Sequence, residues 1–355
     1  MQPQEVPKTM RAAVLNKVGA PLDIVSDYKA PEIDPNQILV KLQLSGVDHT
    51  DVHVAHGDWS NQATVPIITG HEGIGTIVKI GETASRLGRF RLNERVGIPW
   101  TNGVCGSCDL CLSGCDNLCR NILPIGLGVN GTHAEYVAID ANCLTKIPVH
   151  LDSLQAATML CAGVTAYKAV KQCGAYAGQW VAIFGAAGGL GHLAVQFAHY
   201  FGLRVCAIDK GRERLEEIKN MGADVTIDAS GSEHMIMKVR DLCDKEGPTS
   251  VLVCSPDSAT YKDALAVLKP GGTCVAISLP AGELGLDLFE LITRGKKIIG
   301  SIVGTRLDLH ETLRLANLGV VKCKIAERSL DEINDVFDEL EDQSVTGRVV
   351  VRISE

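Results

Sequence analysis

No stretch of the chain approaches the roughly 18 consecutive apolar residues that a membrane helix needs, and no block of lysine and arginine interrupts a net charge of −8. The first absence excludes a spanning helix. The second leaves no electrostatic footprint for nucleic acid or for an anionic membrane. The opening segment MQPQEVPKTMRAAVLNK has no apolar core of the kind a secretory signal carries, so a cytoplasmic protein is expected. Internal repeats and low-complexity stretches are also missing. So is a disulfide framework, although cysteine is plentiful: thirteen is an odd number, the chain runs to 355 residues, and five of the thirteen crowd between Cys105 and Cys119. Metal binding is the better account of that cluster. Cys173, Cys206, Cys243, Cys254 and Cys274 sit in apolar strand or helix contexts and read as small buried hydrophobes in a reducing compartment.

What the chain does have is an apolar fraction of 46% and a length that exceeds one ordinary core, so two domains are expected. One stretch, WVAIFGAAGGLGHLAVQFAHYFGLRVCAID from Trp180 to Asp209, reads as a complete β-α-β unit. Gly185, Gly188, Gly189 and Gly191 fall where the chain must turn sharply and where backbone must approach a pyrophosphate at a helix N-terminus, with Leu190 inside the same turn. The spacing is one residue longer than the usual Gly-x-Gly-x-x-Gly, and a tight turn in any α/β protein is the plainer reading, but strand, helix and a terminal acid in register favour a dinucleotide. Asp209 ends the second strand, where a carboxylate accepts ribose hydroxyls and repels a 2′-phosphate. NAD is therefore favoured, while Lys210, Arg212 and Arg214 leave room for NADP. Strand and helix continue to alternate beyond Asp209, through strands at Val225–Asp228, Val251–Ser255, Thr273–Ser278 and Ile298–Val303. That makes six strands, the count of a doubly wound parallel sheet.

The first part of the chain reads differently. Short β-rich runs (12–15, 38–44) alternate with proline turns, as in a small antiparallel barrel or sheet. Ser45–Trp59 packs three histidines and three aspartates into fifteen residues, either a functional segment or a solvated acidic loop. Cys105, Cys108, Cys111 and Cys119 follow with the spacing C-x2-C-x2-C-x7-C, which lets one loop wrap four thiolates around a tetrahedral zinc. Cys115 is left out of that set. A ferredoxin-like cluster is the rival, but its spacing and trailing proline are not matched. A closed site of this kind shapes a lobe and performs no chemistry. Leu151–Gly174 reads as helical with a cap at Asp152 or Ser153, and Cys161 within it reads as a buried thiol. The tail, with helices at 309–318 and 330–340 and a strand at 348–353, is expected to return to the first domain.

Taken together, GVDHTDVHVAHGDW, GHEGIG, CGSCDLCLSGCDNLC, MLCAGVTAYKA, GAAGGLG, SLPAG, GSIVG and TGRVVV resemble the zinc-dependent medium-chain alcohol dehydrogenases, most closely the tetrameric yeast type, over essentially the whole chain. The resemblance implies an α/β protein made of two parts. A mostly-β GroES-like catalytic domain would span 1–162 and 304–355, with a structural zinc lobe at 100–120, and a Rossmann NAD-binding domain would span 163–303. It implies NAD-dependent oxidation of primary alcohols or reduction of aldehydes, a small alcohol or aldehyde as substrate, and a homodimer or homotetramer. It assigns His71 and Cys161 to a catalytic zinc with Glu72 nearby, makes Thr50 the hydroxyl beside the substrate and His53 the outer end of a proton relay, and puts His49 and Arg348 on the cofactor pyrophosphate. Thr165 and Val303 would line the nicotinamide, while Trp59, Trp100 and Leu279 would shape the substrate pocket. Where the family carries a cysteine ligand, this chain has Asp48. Aspartate is a legitimate zinc ligand, harder than thiolate and a weaker electron donor, so a metal held by Asp48, His71 and Cys161 is expected to be more acidic and less tightly bound. Two alternatives follow from Asp48: a metal-independent NAD(P)H reductase of an activated C=C or C=N bond, and, more remotely, an NAD-binding protein without turnover.

Overall fold

The computed structural model describes residues 6–59, 63–230, 234–280 and 283–354. Contacts divide the chain into two compact units, Met1–Cys161 with Thr305–Asn317 and Lys324–Glu355, and Ala162–Gly304 with Leu318–Cys323. The short piece Leu318–Cys323 joins the second unit because the Gln196 side-chain amide holds both backbone groups of Lys322, donating to its carbonyl and accepting from its N–H at 2.9 Å each.

The first unit is built on Gln37–Val47, a long strand whose Ile38, Val40, Leu42 and Val47 are fully buried. It pairs antiparallel with Gly73–Ile80, with Tyr136–Asp140 and with Arg348–Arg352. Arg95–Ile98, Thr145–Lys146 and Ile325–Ser329 complete a seven-stranded sheet, and Asp23–Lys29, Thr9–Leu15 and Ile67–Ile68 form a separate three-stranded one. The helix Ile333–Glu341 lays Ile333, Val336, Phe337 and Leu340 into the same core, at the spacing that gives a helix one apolar face. In the tail strand Val349 lies opposite Val47 and Val351 opposite Ser45. This register carries residue 348 to the end of the central strand, beside residue 48.

One alternative closes and one expectation changes here. Ser45–Trp59 is not a solvated loop: His49–His56 is a helix, begun by a capping box in which Asp48 accepts the Thr50 N–H at 2.7 Å and Asp51 accepts the Asp48 N–H at 3.1 Å. The helical stretch after Asp152 is not continuous either. Asp152 does cap it, accepting from the Gln155 N–H, but Ser153–Thr158 gives way to a π-turn over Met159–Gly163 before the α-helix resumes at Val164–Gln172. The widened turn contains Cys161, and such bulges concentrate at functional positions.

The second unit is a six-stranded parallel sheet with neighbours in the order Val225–Asp228, Arg204–Asp209, Trp180–Phe184, Ser250–Val253, Thr273–Ala276 and Lys297–Gly300. This is the doubly wound order, with the chain reversing direction across the sheet at Trp180–Phe184. Both Trp180–Phe184 and Ser250–Val253 are buried along their whole length, as strands covered on two faces must be. Cys173, Cys206, Cys243 and Cys274 are buried and unbridged, the inert role their contexts imply. No helix among the described residues is long and apolar enough to cross a membrane.

Gly191 opens the helix Gly191–Tyr200 against the preceding turn so closely that a Cβ there would lie 2.0 Å from the Gly185 carbonyl oxygen. The Gly191→Ala variant is expected to lose about 1–3 kcal/mol of unfolding free energy, since the clash is with backbone and has nowhere to relax. An unchanged urea midpoint would show that this turn tolerates displacement.

Candidate functional site

The Cys105–Cys119 loop folds into a compact lobe. The four sulfurs of Cys105, Cys108, Cys111 and Cys119 lie within 4.8 Å of one another, and Cys115 is outside that group. Contacts of 3.5 Å (Cys105–Cys119), 3.9 Å (Cys105–Cys111) and 4.0 Å (Cys108–Cys119) bracket the separation of about 3.8 Å that a tetrahedral ion bonded to sulfur at about 2.3 Å would impose. Backbone N–H groups of Cys105, Cys108 and Asn121 point at these sulfurs. Hydrogen bonds from Ser107 and Cys108 draw the Cys105 thiol down to about 6, while burial pushes the Cys111 thiol up to about 12. None of the thirteen cysteines is bridged. The donor set, spacing and N–H support fit one closed zinc site.

A second cluster forms where three segments meet in the first unit. Asp48 follows the central strand, His71 and Glu72 precede Gly73–Ile80, and Cys161 sits in the π-turn. Ligand atoms of Asp48, His71 and Cys161 lie within 4.8 Å of one another, with His71 Nε2 at 3.7 Å from Asp48 Oδ1 and Cys161 Sγ at 3.8 Å from Asp48 Oδ2. The Nδ1 side of His71 is engaged by Asp51 Oδ1 at 2.9 Å, which fixes the ring. Its Nε2 is buried and has no hydrogen-bond partner. An orphaned ring nitrogen aimed at a carboxylate and a thiol is what a metal ligand requires, and buried polar atoms are seldom left so without cause. Burial alone would lower the His71 pKa, yet Asp51, Cys161 and Asp48 together raise it well above the usual value. Burial pushes the Cys161 thiol up to about 11. Carboxylate, imidazole and thiol donors thus meet at one point, and these residues fit a divalent ion.

Asp48 is also claimed elsewhere. Arg348 Nη1 donates to its Oδ2 at 2.8 Å, and Arg348 Nη2 donates to Glu72 Oε1. Arg348 is 4% exposed. The resemblance implies a pyrophosphate contact for this guanidinium; within the chain it pairs with two carboxylates, as opposite charges buried together must. Burial raises the Asp48 carboxyl, but the charges of Arg348 and His71 outweigh it and hold the group well below the ordinary range. Glu72 goes the other way, lifted by burial to about 7 in spite of Arg348.

The helix His49–His56 presents the remaining candidates of this unit. Thr50 stands in its first turn and His53 one turn later, where Nδ1 meets Asp58 Oδ2 at 2.7 Å and the ring packs 5.4 Å from Trp59. His49 is 6.4 Å from His53, ring to ring, and burial lowers its pKa. Trp100 meets His71 edge-on at 5.6 Å.

In the second unit Gly185 takes a φ of +73°, open to glycine, and both its N–H and that of Ala186 bond to the Ile208 carbonyl. Asp209 reaches back from the neighbouring strand, its Oδ2 accepting the Ala187 N–H at 2.7 Å, so acid and glycine turn form one structure. Gly188, Gly189 and Leu190 complete the turn before the helix. Arg214 is half-buried on the helix Arg212–Asn220. Thr165 is buried on Val164–Gln172, and Leu279 is half-exposed after Thr273–Ala276. Val303 holds a φ of +38°, a genuine outlier for a β-branched residue and the kind of strain that gathers at functional positions.

Residues 34–149 match the alcohol dehydrogenase GroES-like domain family, and residues 189–317 match the zinc-binding dehydrogenase family. An alcohol dehydrogenase of Geobacillus stearothermophilus is 41% identical over 97% of this chain and 100% of its own length. The chain belongs to the zinc-type medium-chain alcohol dehydrogenases. The crystal structure of the alcohol dehydrogenase of the archaeon Aeropyrum pernix superposes with a TM-score of 0.89 at 31% identity, covering 96% of this chain and 99% of that one. Acetophenone reductase from Geotrichum candidum, solved in complex with NAD, superposes with a TM-score of 0.86 at 27% identity over 98% of both chains.

As an alcohol dehydrogenase the chain shows two site residues that sequence reasoning passed over. Asp51 orients His71, and the Asp48-x-x-Asp51 spacing of a capping box was its available signal. Gly46 leaves room for Glu72, since a Cβ there would come within 2.4 Å of the carboxylate, and nothing in the sequence marks it. For the four-cysteine lobe, Cys108→Ser is expected to lower bound zinc by about one ion per chain and to depress the thermal midpoint, because structural zinc binding is itself folding free energy. Zinc content equal to the parent's would exclude a single ion shared by these sulfurs.

Proposed function

We propose that this alcohol dehydrogenase oxidises short primary alcohols, and reduces the matching aldehydes, by hydride exchange with NAD. The observation that carries this reading is the convergence of Asp48, the orphaned His71 Nε2 and Cys161 on one buried point. These three would hold a catalytic zinc that supplies Lewis acidity toward a substrate oxygen, with Cys105, Cys108, Cys111 and Cys119 holding a structural one. In the second unit Gly185, Gly188, Gly189, Leu190 and Asp209 would receive the pyrophosphate and adenosine ribose of NAD, with Thr165 and Val303 toward the nicotinamide, and Arg214 near the adenosine end. Here 163–303 serves as the NAD-binding part and the rest as the catalytic part.

The residues of the first unit then divide the work. The Thr50 hydroxyl takes the substrate's hydrogen bond and directs its proton outward. His53, partly exposed and paired with Asp58, gives that proton to solvent, while His49 faces the cofactor's phosphates. Asp51 keeps the His71 ring in one tautomer, and Glu72, buried beside the ligands, balances charge. Trp59 and Trp100, packed on His53 and His71, restrict the substrate to small groups, and the resemblance adds Leu279 to the residues that set specificity.

A cytoplasmic homodimer or homotetramer fits the second unit's surface. Lys297–Gly300 is an edge strand with one partner, and Phe289 and Ile292 beside it in sequence are 78% and 73% exposed.

Zinc-loaded protein is expected to form NADH from a panel of short-chain and benzylic alcohols, and to lose that activity when a chelator removes the exchangeable ion. Absence of turnover on the whole panel would overturn the reading. Activity that survives removal of all but the four-cysteine zinc would favour the metal-independent reduction of a C=C or C=N bond. For the cofactor, Asp209→Gly is expected to raise the KM for NAD at least tenfold and to narrow the preference over NADP, since the carboxylate both binds the ribose and repels a 2′-phosphate. An unaltered NAD/NADP ratio would remove Asp209 from recognition.

A further inference from the structure

The charge around Asp48 is unusual, and following it leads beyond ligand assignment. Asp48, Asp51 and Glu72 are three carboxylates with little or no exposure, and the Cys161 thiol adjoins them. The one guanidinium among them arrives from the other end of the chain, delivered by the pairing of Val349 with Val47. It does not pair with a bystander. Asp48 Oδ2, the oxygen at 2.8 Å from Arg348 Nη1, is also the oxygen at 3.8 Å from Cys161 Sγ. The other oxygen accepts the Thr50 N–H and stands 3.7 Å from His71 Nε2. Both oxygens that face the metal position are therefore already anchored, one of them by a full positive charge.

A guanidinium and a divalent ion on the same carboxylate compete in two ways. They divide the lone pairs of one donor, and they repel each other across a short, poorly screened distance. A thiolate at position 48 would replace the small, hard oxygen that accepts from Arg348 Nη1 by a larger, softer sulfur, a poorer partner for a guanidinium. The carboxylate makes the competition particular to this chain.

Resting on the reading of Asp48, His71 and Cys161 as metal ligands, we propose that Arg348 is the resident counter-cation of the catalytic metal site. It shares Asp48 with the metal, holds that carboxylate in its ligand position when the metal is away, and sets the site's affinity below what the three ligands alone would give. Two consequences follow. The metal-free site is charge-balanced and already shaped, so the exchangeable ion comes and goes without unfolding the unit. The affinity is tuned through Asp48 and not by overall charge.

The test is a double-mutant cycle read by metal affinity. Full-length parent, R348Q, D48C and the double variant are prepared with the four-cysteine site filled, and the second zinc is titrated against a competing chelator. One retained zinc per chain and an unchanged circular dichroism spectrum certify the fold. R348Q is expected to bind the second zinc at least tenfold more tightly than the parent, and the same substitution in the D48C background is expected to change affinity less than threefold. Equal or weaker binding by R348Q overturns the inference while leaving the metal ligands in place. An equal gain in both backgrounds also overturns it, because Arg348 would then act by charge alone. No second zinc in any of the four proteins overturns the metal reading and the inference with it. Should R348Q fail to fold, the guanidinium nitrogen resonances of the parent, assigned with R348K, decide: they are expected to shift as the second zinc enters, and resonances that stay fixed overturn the proposal.

Discussion

One guanidinium spanning two carboxylates, the buried Glu72 and the slightly exposed Asp48, is the interaction on which the first unit's site depends. Breaking a buried pair by removing one partner commonly costs about 3–5 kcal/mol, far more than the pair itself contributes, because a stranded charge stays in a medium that cannot solvate it. The three residues come from the end of one strand, the start of a second and the tail of the chain. Their meeting requires the antiparallel register that puts Val349 opposite Val47. A slip of one residue in that pairing would exchange Val349 and Val351 with Val350 between two buried faces and leave both carboxylates without a counter-charge. Core packing and site electrostatics thus select the same register, and neither alone would hold it so firmly.

The second unit solves a different problem by hydrogen bonding. Its glycine turn must expose backbone N–H groups to a ligand without collapsing, and it does so by tying Gly185 and Ala186 to the Ile208 carbonyl and Ala187 to the Asp209 carboxylate. Asp209 therefore has a structural duty before it has a recognition duty. The acid at the end of the second strand braces the loop that a dinucleotide would rest on, which explains why strand, turn and acid occur as one unit.

Legibility in the sequence followed the range of the interactions. The parallel sheet was readable because each strand is a short apolar run followed by a helix, and the four-cysteine lobe because its ligands lie within one loop. The mixed-donor cluster was readable only by resemblance: Asp48, His71 and Cys161 are far apart in sequence, and each by itself is an ordinary cap, turn histidine or buried thiol. What stayed illegible was long-range or geometric. The Arg348–Asp48 bridge closes over 300 residues, Gly46 matters only because Glu72 lies across from it, and the π-turn around Cys161 has no periodic signature distinct from that of a helix. The capping box was the exception. It is local, its spacing was present in the sequence, and it turns an apparent acidic loop into an ordered helix.

That capping box gives a physical reason for a carboxylate at position 48. Aspartate is among the best N-cap residues and, measured against a residue that cannot cap, is worth about 1 kcal/mol to the helix it starts. The helix His49–His56 carries Thr50 and His53, whose spacing depends on its being formed. Asp48 therefore couples three demands in one side chain. It begins the helix that carries Thr50 and His53, it neutralises the guanidinium brought in by the tail, and it would offer oxygen to a metal. A thiolate would serve the third demand better and the first two worse. The first unit accordingly holds two unlike donor clusters: a lobe of four sulfurs, and a mixed set of carboxylate, imidazole and thiol whose carboxylate is paired internally with Arg348. Where a site's shape is held by the protein's own charges, a metal bound there would contribute affinity without being required for the fold.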